Sequence, residues 1–126
     1  MTADALAAAY TAAWNTGQPN AVARFFAVDG VIIINNGSPW QGRCGVAQMA
    51  AGFYADVPDL RLTCDGLRAA GDHLAYLWTF GRTHARTGNW LSVVGWEEWD
   101  LNEAGLVKLS RGWFDSDDYT RQTAPQ

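Results

Sequence analysis

The sequence has few of the residues that most often mark a chemistry. Its two cysteines, Cys44 and Cys64, and two histidines, His73 and His84, stand apart with no carboxylate or thiol at a ligand spacing, so neither a metal centre nor any other cofactor is expected. The cysteines read first as structural thiols, with a disulfide or a reactive thiol as the alternative. No glycine-rich phosphate loop is present, because the glycines are scattered singly. Basic residues are scarce as well: nine Lys and Arg against 13 Asp and Glu leave a net charge of −4, which argues against nucleic acid or an anionic membrane surface as partner. The one uninterrupted β-branched run, Val31 to Ile34, is far too short to span a bilayer, and no basic segment followed by an apolar stretch opens the chain. A cytoplasmic protein is the expectation.

What is abundant is apolar surface. Hydrophobic residues make up 48% of the 126 residues and seven of them are Trp, which excludes disorder and predicts one domain over residues 1–126 with a substantial core. Helices come first. Thr2 or Asp4 can cap a helix running to Trp14, which Asn15-Thr16-Gly17 stops, and Pro19 suits the first turn of a second helix through Phe26. Asp29-Gly30 turns the chain into the Val31–Ile34 strand, and Gly45 to Ala55 reads as a third helix ended before Pro58. Strands follow at Leu60 to Leu67, Leu74 to Ala85, Trp90 to Leu101 and Leu106 to Phe114, the last three joined by turns at Thr87-Gly88-Asn89 and Asn102 to Gly105. Thr120 to Gln126 reads as a frayed tail. The expected fold is α+β: a cone-shaped, curved antiparallel sheet packed against N-terminal helices and enclosing a small-molecule cavity.

Several segments resemble the nuclear transport factor 2-like superfamily, which includes ketosteroid isomerases, limonene epoxide hydrolases and SnoaL-type polyketide cyclases. They are Tyr10-Thr-Ala-Ala-Trp-Asn-Thr-Gly17, Phe25-Phe-Ala-Val-Asp-Gly-Val31, Gly42-Arg-Cys-Gly-Val46, Phe53-Tyr-Ala55 and the ending Gly105-Leu-Val-Lys-Leu-Ser-Arg-Gly-Trp-Phe-Asp115. The resemblance implies roles residue by residue. Tyr10 falls on the helix tyrosine that, in ketosteroid isomerases, donates to the substrate oxyanion, and Tyr54 falls on a second tyrosine that supports it. Glu97 falls on the strand carboxylic acid that stays protonated in an apolar site and donates the second hydrogen bond. The general base of those isomerases falls on Ile34, so steroid isomerisation is not expected. The tyrosine and asparagine that hold water in the epoxide hydrolases fall on Ile32 and Ile34, and a last-strand carboxylate falls on Gly112. Asp115 resembles a nearby family acid, but its place at the strand exit favours a turn role.

Period-two alternation extends the candidate site beyond these matches. If Glu97 points inward, so do Leu91, Val93 and Gly95; Trp78, Phe80, Arg82 and His84 form the inward set of the preceding strand, and Ser110, Gly112 and Phe114 that of the last, with Ser110 across from Glu97. The sequence therefore predicts a catalytic trio of Tyr10, Glu97 and His84, in which the first two polarise a substrate oxygen and His84 shuttles the proton. Tyr54, Arg82, Ile32, Ile34, Trp78, Phe80, Ser110 and Phe114 would contact the substrate, a hydrophobic carbonyl or polyketide-like compound undergoing isomerisation, cyclisation or elimination. A binding module without turnover and a dimerisation domain are the competing readings. A homodimer through the outer sheet face is expected in any case, with Trp96, Trp99 or Trp113 in the contact.

Overall fold

The computed structural model describes all 126 residues. Helix α1 (Ala3–Trp14) is capped by Thr2, whose side chain accepts the Ala5 N–H at 3.1 Å. Its buried residues, Leu6, Ala7, Tyr10, Ala13 and Trp14, fall three or four apart on one face, and the small Ala7 and Ala13 on that face let the helix sit close to the sheet. Pro19 opens α2, as its missing N–H and fixed φ favour, but α2 ends at Ala23 (Pro19–Ala23) rather than at Phe26. Strand β1 (Phe26–Ile34) starts there instead, because Phe26 buries its ring in the core and pairs with Val107. A short strand β2 (Trp40–Gln41) was not expected; it precedes α3 (Gly42–Asp56).

Four strands then follow: β3 (Arg61–Ala70), β4 (His73–Thr83), β5 (Trp90–Leu101) and β6 (Val107–Phe114). They lie with the others in one curved, unclosed sheet of order β2-β1-β6-β5-β4-β3, antiparallel at every junction except β1 with β6, which is parallel. Helix α1 packs on β3, and α3 on β1, so the helices close over the concave face and a core of 22 buried residues fills the space between. The strands alternate as the sequence suggests: along β5, Leu91, Val93, Glu97 and Trp99 are buried while Trp90, Ser92, Val94 and Trp96 are exposed.

The C-terminal segment is not a frayed tail. Asp115 caps a further helix, α4 (Ser116–Gln122), by accepting the N–H groups of Asp117 and Asp118, which is the turn role read for it. The helix is then tied to β5: Gln122 accepts from the Ser92 N–H and donates to its carbonyl, and Asn89 donates to the Gln122 and Ala124 carbonyls. Polar side chains that read as a solvated end in sequence find backbone partners across the sheet edge.

Candidate functional site

The parallel β1–β6 junction decides what surrounds Glu97. Ile34 pairs with Gly112, Gly112 with Glu97, and Glu97 with Tyr76, so one row across the sheet reads Ile34, Gly112, Glu97, Tyr76. Glycine between the isoleucine and the acid leaves open space on the concave side. A cavity of about 50 Å³ forms there, lined by Trp14, Ile32, Ile34, Met49, Phe53, Leu60, Leu62, Trp78, Phe80, Glu97, Gly112 and Phe114. Glu97 is the only ionisable side chain in that wall. Of the lining residues, Ile34, Phe53 and Phe114 are only half-buried.

Glu97 is held by three donors. Oε1 accepts from the Tyr10 hydroxyl at 3.0 Å, the Trp99 indole N–H at 3.0 Å and the Ser110 hydroxyl at 2.9 Å, while Oε2 has only Tyr10, at 3.2 Å. The carboxyl is almost wholly buried, and burial pushes its pKa above the ordinary glutamate value; the Trp99, Ser110 and Tyr10 hydrogen bonds pull the other way. With Oε1 saturated by donors, a proton on the carboxyl belongs on Oε2, whose O–H is then free to donate. The surrounding aromatics fix this arrangement. Trp99 stacks on Tyr76 at 5.0 Å, and the edge-on Tyr10 ring lies 4.8 Å from Trp99 and 5.4 Å from Tyr76.

The geometry brings together Tyr10, Glu97 and Ser110 of the sequence-derived set, with Ile32, Ile34, Trp78, Phe80 and Phe114 on the same wall. The details differ in two ways. Ser110 lies opposite Trp99, and reaches Glu97 along the diagonal, since β6 pairs two residues away from the expected register. Tyr10 commits its hydroxyl to Glu97 and does not line the cavity, so its contact with a ligand would be indirect.

Three expected site residues lie elsewhere. Arg82 occupies the inward parity, but its φ of 129° turns it out, and its guanidinium rests 5.4 Å over the exposed Trp90 ring. The cause sits one residue earlier: β4 approaches β5 so closely at Gly81 that a Cβ there would lie 2.0 Å from the Leu91 carbonyl oxygen, which breaks the regular pleat. His84 is buried at the hairpin end, hydrogen-bonded to Thr87 and edge-on to Tyr119, outside the cavity wall and away from Glu97. Tyr54 donates to the Trp14 carbonyl at 2.7 Å, fastening α3 to the end of α1, and burial raises its pKa to about 12.

Other residues of the site were not in the sequence-derived set, though the pattern held signals for some. Trp99, expected on a dimer face, is fully buried and donates to Glu97; it lies two residues from Glu97 and so shares its side of β5. Trp14 lies one helical turn beyond Tyr10 on the buried face of α1. Met49, Phe53, Leu60 and Leu62 come from elements whose inward faces only packing reveals. No group of three or more His, Cys, Asp or Glu side chains is placed to hold a metal ion, and both cysteines are free and exposed. No helix is long and apolar enough to cross a membrane.

Comparison with known proteins agrees with this architecture. No curated protein sequence matches the chain at a significant level. Among solved structures, a hypothetical protein of ketosteroid isomerase-like fold from Catenulispora acidiphila, in complex with trimethylamine, superposes with a TM-score of 0.89 at 20% identity, covering 99% of this chain and 96% of that one. A putative hydroxylase from Streptomyces galilaeus gives 0.80 at 21% identity, over 94% and 92% of the two chains. An epoxide hydrolase/cyclase-like enzyme with a role in pyran ring formation in the polyether salinomycin gives 0.80 at 15% identity, over 91% and 92%. At these identities the likeness is one of fold, that of the nuclear transport factor 2-like superfamily. The sequence itself matches the model of the SnoaL-like domain across residues 7–109, and the chain belongs to that family.

Proposed function

We propose that this domain binds a small, mostly apolar molecule bearing a carbonyl or ether oxygen and isomerises or cyclises it without a cofactor, with Glu97 as the acid–base group. The observation that carries the reading is that Glu97 is the only ionisable side chain facing the cavity and is held there by three donors. Burial raises its pKa and so favours the protonated form, in which Oε2–H can donate to a ligand oxygen. The Tyr10, Trp99 and Ser110 donors then stabilise the carboxylate left after transfer.

One acid–base group restricts the reaction. A proton that leaves Glu97 must come back to it, which suits a net-neutral rearrangement. In ring closure of a hydroxy-epoxide, the epoxide C–O bond breaks as its oxygen takes the Glu97 proton, the substrate's own hydroxyl forms the new C–O bond, and that hydroxyl's proton restores Glu97. His84 and Arg82, outside the cavity, have no part in this scheme, and Tyr10 and Ser110 position the acid. The cavity's size fits one reacting fragment at Glu97, with a longer ligand continuing past Phe53 and Phe114.

The test is turnover of a short hydroxy-epoxide and a β,γ-unsaturated cyclic ketone, followed by gas chromatography. Wild-type protein is expected to accelerate one of them, and Glu97→Gln to lose a factor on the order of 10² to 10⁴. The competing reading, a binding module, is favoured by Ile32, Ile34 and Gly112, which leave no second acid or base in the wall. Glu97-dependent binding of both probes without turnover would establish it. A homodimer in a reducing, cytoplasmic setting belongs to the same reading. Trp96, exposed beside Leu77 and Val94 on the outer sheet face and tilted against the half-buried Trp113, supports the dimer, and the free cysteines support the compartment.

A further inference from the structure

Two residues that line the cavity, Trp14 and Trp78, each more than nine-tenths buried, carry an indole N–H with no acceptor. An indole N–H can only donate, and buried donors are nearly always paired, so each of these calls for a partner. Trp14 has one close by. Trp14 lies one helical turn from Tyr10, whose pKa is raised by burial and the neighbouring Glu97 charge and lowered by the Trp14 indole. Trp78 has none.

The placement of Trp78 is specific. It pairs with Gly95 and lies across β5 at that point: a Cβ on Gly95 would be 2.6 Å from the Trp78 ring and 2.4 Å from the Trp113 carbonyl oxygen. Gly95 is two residues from Glu97 on the same side of β5, so the missing Cβ lays the indole beside the acid on one wall. The cavity around them is otherwise apolar and gives the N–H no protein acceptor.

We propose that Trp78 is a ligand-recognition residue whose indole N–H binds a second acceptor oxygen of the substrate, so that the natural ligand carries at least two acceptor oxygens, one for Glu97 and one for Trp78. This rests on the reading of Glu97 as the group that meets the ligand. It narrows the substrate class from monofunctional ketones and ethers to dioxygenated fragments such as hydroxy-ketones, hydroxy-epoxides or lactones.

Three five-membered rings of matched shape test it: cyclopentane with no acceptor oxygen, cyclopentanone with one, and γ-butyrolactone with two. Each is titrated into protein carrying ¹⁵N in its indoles and ¹³C in its glutamate carboxyls. The lactone is expected to move both the Trp78 indole resonance and the Glu97 carboxyl resonance, while cyclopentane moves neither by a comparable amount. In Trp78→Phe, lactone affinity is expected to fall about tenfold further than cyclopentanone affinity, and an equal loss for the two overturns the proposal. A lactone that shifts Glu97 but leaves the Trp78 indole where cyclopentane leaves it overturns the proposal alone. A lactone that shifts neither at saturating concentration overturns the Glu97 reading with it. Wild-type spectra decide the matter even if the Phe variant does not fold, since through-space contacts from the Trp78 ring protons assign its N–H.

Discussion

Replacing Glu97 should separate the acid's proton from its hydrogen bonds. Glu97→Gln keeps an acceptor oxygen for Tyr10, Trp99 and Ser110 and places an N–H donor where the Oε2 proton stands, so it mimics the protonated acid. The folded-state pKa of Glu97 is raised by burial above the 4.5 of a free glutamate. Stability from this group is therefore complete below pH about 4.5, where both states hold the proton, and is lost as pH rises towards the folded pKa, because the unfolded chain releases its proton first. Each unit of elevation removes about 1.36 kcal/mol at higher pH. Urea denaturation between pH 4.5 and 8 should show that wild type loses this increment and Glu97→Gln does not, making the variant at least as stable as wild type at pH 7.5. Glu97→Leu should behave differently: it strands three buried donors at about 1–3 kcal/mol for each that finds no new partner, at every pH. A Glu97→Gln variant that follows the wild-type pH dependence, or that loses as much as Glu97→Leu, would refute the reasoning.

Tyr10→Phe removes a donor that favours the ionised carboxylate, so the Glu97 carboxyl should titrate at still higher pH, as ¹³C spectroscopy would record; a downward shift would contradict the assigned geometry. Steroid double-bond isomerisation should be absent, since a cavity of about 50 Å³ takes only a small fragment and Ile34 adds no second base beside Glu97, and Ile34→Asp should raise any trace rate; a wild-type rate within about tenfold of true isomerases, measured by enone absorbance, would be incompatible with this. Gly95→Ala forces a Cβ against the Trp113 carbonyl and the Trp78 ring and should cost about 1–3 kcal/mol in urea unfolding; a neutral result would mean that the close approach is not maintained in solution. Wild type should sediment as a dimer at micromolar concentration and the Trp96→Ser, Trp113→Ser double variant as a monomer; a monomeric wild type ends the dimer proposal.

Local rules carried most of the fold in this sequence. The Thr2 cap, the stop after Trp14, the β-branched run before Ile34 and the alternation along Trp90–Leu101 each act over a few residues, and each element appears close to its expected place. Alternation also put Glu97 and Trp78 on the inner face, and the resemblance linked Tyr10 to Glu97, 87 positions away. What local pattern missed was set by pairing between distant strands. The parallel β1–β6 junction determined that only Gly112 separates Ile34 from Glu97, and the β5–β6 register made the Ser110 contact diagonal.

Arg82 and His84 show where periodicity stops being informative. Both have inward parity, but the close approach at Gly81 turns Arg82 onto Trp90, and the hairpin closes around His84 before it reaches the cavity. The C-terminal segment was equally opaque, because its partners, Ser92 and Asn89, lie about 30 residues back in the chain. By itself the sequence determined where most of the helices and strands lie and which face of the central strands is apolar, since those depend on neighbours in the chain. Only the tertiary structure decided that one acid is alone in the cavity, that its three donors converge on a single oxygen, and that the Trp78 N–H is left without a protein partner, because hydrogen-bond satisfaction depends on atoms that the chain brings together from far apart.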